Sequence, residues 1–99
     1  MIEIKVLKKE DTEKVLKMEQ VIETVEEVYR AKAADATVVF PLIFHEFEPG
    51  VADMDIKSGW LKDRGVFGLK LVSWFGENTK KGLPALLGTI LIADAETGA

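Results

Sequence analysis

Cysteine is absent from this chain of 99 residues, and histidine occurs once, at His45. The first absence excludes disulfides, thiolate nucleophiles and cysteine-ligated zinc, and it fits a reducing compartment. The second excludes a histidine-rich metal cluster built within one chain. Positive charge is also in short supply: 13 Lys and Arg stand against 17 Asp and Glu, for a formal net charge of -4. No electrostatic footprint for wrapping nucleic acid or lying on an anionic membrane is therefore expected. The N-terminal "MIEIKVLKKEDTEK" is charged from its third residue and lacks an apolar h-region, so it does not read as a secretory signal. The expectation is a cytoplasmic protein. Long hydrophobic runs are missing as well. The longest, "LPALLGTILIA" from Leu83 to Ala93, is roughly half the ~20 residues of a membrane-spanning helix and reads as a core strand.

What is present suffices for one domain, residues 1–99, with 47% hydrophobic content. A chain this short buries only a modest fraction of its surface, so a partner that covers more apolar area would stabilise it. "IEIKVL", Ile2 to Leu7, alternates in the manner of a short strand, and "KKEDTEKVL" offers Asp11 as the N-cap of a short helix. From Met18 onward the apolar residues Met18, Val21, Ile22, Val25, Val28 and Tyr29 recur at helical spacing, with Glu19, Glu23, Glu26, Glu27 and Arg30 opposite. That acidic stripe is the solvated face of an amphipathic helix and is assigned no chemistry.

After "AKAADA" the period falls to two, and β-branched and aromatic residues take over. Strands are expected over Thr37 to Phe47, Met54 to Leu61, Val66 to Trp74 and Ala85 to Ala93, separated by "EPG", "KDRG" and "GENTKKGLP". Short connections favour antiparallel neighbours. The fold class is therefore α+β, an N-terminal strand and amphipathic helix followed by an antiparallel meander. "ADAETGA" carries a hairpin turn signal with no second strand after it. The expectation is a chain cut from something longer, or an edge supplied by another chain.

Chemistry is sparse. His45 has Glu46 and Glu48 nearby, but strand alternation turns His45 and Glu46 to opposite faces, so a structural histidine is the simpler reading and no metal is assigned. Ser58 or Ser73 with His45 lacks any Gly-x-Ser-x-Gly elbow. Neither a Gly-x-Gly-x-x-Gly nor a Walker pattern occurs, so a dinucleotide, if one is used, binds elsewhere. In "DMDIKSGW", Asp53, Asp55 and Lys57 share one strand face. The common case is a solvent-facing side; the sharper one sets Lys57 or Asp55 beside Lys70 on the next strand. Lys70 itself interrupts the apolar "GVFGLKLVSWFG". It is an edge gatekeeper with its stem on apolar surface, or a cation with room for an anion, since Gly68 on the same face carries no side chain.

The block "GLKLVSWFGENTKKGLPALLGTILIADAETG", Gly68 to Gly98, resembles the N-terminal domains of the ornithine cyclodeaminase and mu-crystallin family. Those domains carry a Gly-x-Lys strand, a Gly-Asn-Pro-x-x-Gly-Leu-Pro-type loop and an apolar strand ending in Asp-x-x-Thr-Gly. "KMEQVIETVEEVYRA" looks like the family's first long helix. The resemblance implies an NAD(P)-dependent cyclodeaminase, amino-acid dehydrogenase or ketimine reductase acting at the α-carbon of an amino or imino acid. It also implies a homodimer whose sheets close into a shared barrel, with the NAD or NADP bound by a Rossmann domain that follows and is absent here. Lys70 matches the lysine that contacts the substrate carboxylate beside the reacting carbon, and Asp55 falls near an acidic position of the cyclodeaminase branch, which makes both catalytic candidates. The basic residue that usually follows the proline is Leu42 here, the family's Met-Pro is Lys57-Ser58, and the Asn-Pro of the loop is Asn78-Thr79. Either Lys57 supplies the second positive charge for substrate binding, or this branch takes another substrate. The reading from a different class is a non-catalytic dimeric β-barrel, used as a scaffold or carboxylate binder.

Overall fold

The structure is a computed structural model that describes residues 2–99. The chain divides into two units, one ending at Ala36 and one spanning Thr37–Ala99.

The first unit holds two helices, α1 (Lys9–Val15) and α2 (Met18–Ala33). The expected strand over Ile2 to Leu7 does not form: these residues have no regular structure and are exposed. Alternation alone does not make a strand, because a strand's backbone groups need a neighbour to pair with, and among the described residues none pairs with this segment. The N-cap is Lys8 rather than Asp11. Asp11 lies three residues on, where its Oδ2 accepts from the Lys8 backbone N–H at 2.8 Å, satisfying a donor that the helix itself leaves unpaired. Leu16 and Lys17 are extended and separate the helices. Helix α2 follows its 3.6-residue period, with Arg30 and Glu26 paired one turn apart at 2.7 Å. Its apolar stripe is nevertheless exposed at Met18, Ile22, Val25, Val28 and Tyr29.

The second unit is one antiparallel sheet of five strands: β1 (Thr37–Val39), β2 (Ile43–Glu48), β3 (Ala52–Leu61), β4 (Val66–Phe75) and β5 (Leu86–Asp94). Strand β3 pairs with both β1 and β2 on one side and with β4 on the other, and β5 follows β4. The sheet is open, not closed on itself. The single strand expected over Thr37 to Phe47 is divided around Pro41. Proline has no N–H to give to a ladder, and the register shifts there: Val39 faces Gly59, whereas Ile43 faces Ile56. One extra residue is accommodated on the outer strand, as in a bulge.

Strand β5 also departs from expectation. It was to be core, but Leu86, Leu87, Ile90, Leu91 and Ile92 are exposed at its edge position. Ala52 is the one buried apolar residue among those described. At the end of β5 the chain turns back: Gly98 N donates to Asp94 O and Asp94 N to Ala99 O, both at 2.8 Å. The Asp94 carboxylate ties the turn, with Oδ1 accepting from the N–H groups of Glu96 at 2.7 Å and Thr97 at 3.0 Å. Those two backbone donors hold its pKa below the ordinary value, the Thr97 bond contributing most.

Two predictions follow from this geometry. Because the Asp94 pKa is depressed on folding, its contribution is present above the ordinary carboxylate range and is lost as pH falls below about 4. The stability gap between the native chain and Asp94→Asn, read by urea unfolding, should accordingly shrink as pH is lowered from neutral into that range. The second concerns Gly68, where a Cβ would meet the Leu91 carbonyl oxygen at 2.5 Å and Ile92 Cα at 3.4 Å. Gly68→Ala should cost about 1–3 kcal/mol by forcing β4 and β5 apart, and an unchanged urea midpoint would refute the close approach.

Candidate functional site

Pairing between β3 and β4 fixes which side chains share a face. Leu61 faces Val66 across the turn, and the register runs unbroken from there, so Lys57 stands directly opposite Lys70 and Asp55 opposite Val72. Asp53, Asp55 and Lys57 do share one face, since alternate residues of β3 project together. Asp55 is thereby a diagonal neighbour of Lys70. On the outer side Phe44 of β2 lies across from Asp55, and on β5 Ile90 lies across from Lys70. The length of the "KDRG" connection held the signal: once Leu61 and Val66 are taken as the closing pair, counting back four places on each strand puts the lysines together.

This arrangement is electrostatically expensive. Like charges directly opposite one another on a sheet destabilise it, yet both ammonium groups are exposed and, among the described residues, neither makes an ion pair or side-chain hydrogen bond. The Asp55 carboxylate, diagonal to Lys70 on this face, is the nearest negative charge in the register, and an anion bound between the lysines would offset their repulsion further. Asp55 is unusual in the opposite sense: its side chain is half-buried and its Oδ1 is out of contact with solvent without a hydrogen-bond partner. Buried acceptors in folded proteins are nearly always bonded. A carboxylate oxygen left bare beside Phe44 and Val72 is therefore a cost to the fold. Two cations and one unpartnered carboxylate make a surface suited to a small molecule that carries a carboxylate and a nitrogen.

The glycine beside the lysines has a role other than the one its sequence position suggests. Gly68 pairs with Gly59 and leaves no vacant pocket, because the β5 backbone at Leu91 and Ile92 already occupies that space. Gly59 is similar, with the Val38 carbonyl oxygen 2.8 Å from where its Cβ would be. The expected room for an anion beside Lys70 is thus not made by Gly68; the glycine pair serves close strand approach. Leu42, at the place where a basic residue was sought, lies exposed in the break around Pro41. Further along the same face Glu46 stands opposite Asp53, a second like-charged pair at the acidic end.

The remaining candidates stay apart. His45 faces Met54 and its ring meets Phe47 edge-on at 4.9 Å, while Phe47 stacks toward Phe75 at 5.5 Å, so the histidine is part of an aromatic row. Ser73 lies on the far side of Met54 from His45, two strand spacings or about 10 Å away, and they form no nucleophile–base pair. Among the described residues no three His, Asp or Glu side chains gather as metal ligands. None of the helices there is long and apolar enough to cross a membrane.

No family model matches the chain. It is 30% identical over 97 residues to the alanine dehydrogenase of Archaeoglobus fulgidus, a match that covers 98% of this chain and 29% of that one. Among solved structures it superposes with a TM-score of 0.83 and 30% identity on an archaeal alanine dehydrogenase dimer with bound NAD, over 92% of this chain and 27% of that one. A TM-score of 0.84 and 36% identity relate it to the Thermococcus litoralis Δ1-pyrroline-2-carboxylate reductase in complex with NADH and L-proline, over 91% of this chain and 28% of that one. The chain therefore spans under a third of the length of each of these proteins. A nicotinamide dinucleotide does not fit the described residues. Both helices precede the sheet, so no strand here leads through a glycine-rich turn into the helix N-terminus that cradles a pyrophosphate.

If the three charged groups are kept for a ligand, removing them will not harm the fold. Asp55→Leu, which fills the site between Phe44 and Val72 with an apolar group, should stabilise the chain by about 1 kcal/mol, and Lys57→Met by a few tenths, at most ~1 kcal/mol. Urea unfolding measures both. A loss of similar size would show that these groups hold the sheet together.

Proposed function

This chain is homologous, over a fragment of their length, to members of the ornithine cyclodeaminase and mu-crystallin family, and on that premise we propose that it is the substrate-binding and dimerisation part of an NAD(P)-dependent enzyme acting at the α-carbon of an amino or imino acid. The observation that carries the proposal is the Lys57–Lys70 pair, two exposed cations set directly opposite one another on β3 and β4, without an ion pair among the described residues. Lys70 is the carboxylate anchor, held next to the reacting carbon. Both ammonium groups are exposed in this chain; once further protein closes the site to water, a cation there would hold a carboxylate strongly and stabilise negative charge as it develops. Lys57 adds the second positive charge that Leu42 does not provide. Asp55 is the acid–base candidate, its bare Oδ1 placed to accept a proton or hydrogen bond from the substrate nitrogen. The nicotinamide, when bound by a further domain, supplies the hydride. The chain alone binds and orients without turning over, and the reaction belongs to the cytoplasm.

Dimerisation has its own support. The exposed apolar residues on β5 and on both faces of the sheet are of the kind that a partner surface covers. Two copies joined through their sheets into a barrel would cover them. The alternative, a dimeric barrel that binds carboxylates without chemistry, draws on the same lysine pair and on the lack of a dinucleotide cradle among the described residues.

The two readings separate in the longest form of the protein that can be expressed, screened against amino and imino acids with nicotinamide absorbance as readout. In that form Lys70→Met should lower kcat/KM by about 10- to 100-fold, the worth of one charge-assisted contact, while the melting temperature stays nearly constant. Wild-type kinetics would remove Lys70 from the site, and nicotinamide silence with every substrate would favour the binding module. For the 99-residue chain, sedimentation should show a dimer or larger species, and a strict monomer at high concentration would count against the shared barrel.

A further inference from the structure

We infer that a second copy of this chain docks along the open edge of β5, antiparallel and with the two-fold axis at Thr89, so that one continuous sheet runs through both copies. This rests on the dimer reading above and deepens it by naming the seam. Strand β5 is terminal in the sheet and pairs with β4 alone. Backbone groups of an antiparallel strand turn alternately to one side and the other. Phe75 N–H donates to Ala85 O and Ala95 N–H to Gly65 O, each at 2.8 Å, so the odd-numbered residues of β5 turn toward β4. Leu86, Gly88, Ile90 and Ile92 consequently aim their N–H and C=O groups at the open side, where no strand among the described residues takes them.

Both ends of that free row are closed. At one end the outward N–H and C=O of Asp94 are taken by Ala99 O and Gly98 N–H. At the other, Pro84 has no N–H to give, and its carbonyl oxygen already accepts from Asn78 Nδ2 at 3.0 Å. The stretch left open, Leu86 to Ile92, is centred on Thr89. The sequence is nearly symmetric about the same residue: in "ALLGTILIA", Ala85 matches Ala93, Leu86 matches Ile92 and Leu87 matches Leu91. An antiparallel copy in this register sets Thr89 against its own counterpart, Leu87 against Leu91 on one face of the sheet, and Leu86 against Ile92 on the other. Ile90 falls opposite Gly88, whose missing side chain leaves room for a branched one. The four outward residues of each copy then make about eight hydrogen bonds across the seam. Open edges are ordinarily guarded by a charge, a proline or a bulge. Leu86 to Ala93 holds neither charge nor proline and pairs with β4 in unbroken register, and an unguarded edge complementary to itself fits its own copy.

The chain has no cysteine, so Thr89→Cys puts a single thiol on the axis. Thr89 and its counterpart form a non-hydrogen-bonded pair with Cα atoms about 4.5 Å apart, within the span of a disulfide. Under mild oxidation of the 99-residue chain, Thr89→Cys should give a covalent dimer about tenfold or more faster than Gln20→Cys on exposed α2, because the seam holds the two thiols together. Ile90→Pro removes one outward N–H from each copy and leaves the β4 ladder intact, and Thr89→Lys sets two ammonium groups face to face. Each should raise the dimer dissociation constant read by sedimentation by about tenfold, and Thr89→Lys keeps the test open should Ile90→Pro fail to fold. A dimer that survives Thr89→Lys, with Thr89→Cys cross-linking no faster than Gln20→Cys, puts the seam elsewhere and overturns the inference while the dimer stands. A strict monomer overturns both. Species growing beyond the dimer with concentration would mean open-ended stacking of β5, and slow amide exchange at Ile90 under monomeric conditions would mean that the same chain covers the edge; either overturns the inference.

Discussion

Strand β3 is paired along both sides, with β1 and β2 on one edge and β4 on the other, and every other strand depends on it directly or through β4. In most small domains an apolar core does the larger share of the stabilising, because burial of apolar area outweighs the net gain from hydrogen bonds. Here one apolar residue among those described is buried, while long side chains on β5 and on α2 lie open to solvent. The ladder therefore sets the geometry without the cover that normally accompanies it. Sheets with two apolar faces are stable when both are covered, which is why association with further protein is the natural complement of this unit.

The same ladder defines the candidate site. A one-residue slip between β3 and β4 would send every side chain of one strand to the opposite face, separating Lys57 from Lys70. Register is held by the short Lys62–Gly65 connection, while Gly59 and Gly68 let the flanking strands come close, a Cβ there meeting the Val38 carbonyl oxygen of β1 and the Leu91 carbonyl oxygen of β5. The glycine that reads in the sequence as an opening for a ligand is instead the place where β5 seats against β4. Two opposed ammonium groups and one unbonded carboxylate oxygen are a cost to the chain at this place.

Periodic features were legible from the amino-acid order. Helix α2 emerged from its 3.6-residue spacing, the meander from alternation and turn residues, and the common face of Asp53, Asp55 and Lys57 from parity alone. What failed were features that depend on a neighbour. Ile2 to Leu7 alternates perfectly well and has nothing described to pair with, Leu86 to Ala93 has a core composition and an edge position, and Thr37 to Phe47 breaks where Pro41 cannot donate. Lys57 opposite Lys70 lies between these cases, since the turn length encodes it but only the paired structure displays it. The likeness to a known family, by contrast, was visible in the sequence, and proteins of similar sequence and similar shape support it over this fragment of their length.

The short link between β3 and β4 also bears on how the sheet assembles. Contacts between consecutive strands require little chain to be closed off, and such local hairpins form within roughly 1–10 μs. Zipping outward from the turn at Gly65, Leu61 meets Val66 first, the two glycines meet two pairs later, and the lysines come face to face two pairs after that. Their repulsion thus arises early, while most of the sheet is still unformed, and acts against the ascent to the folding barrier instead of hastening descent from the native state. By its position in the hairpin, the like-charged pair is a brake on the folding of the sheet.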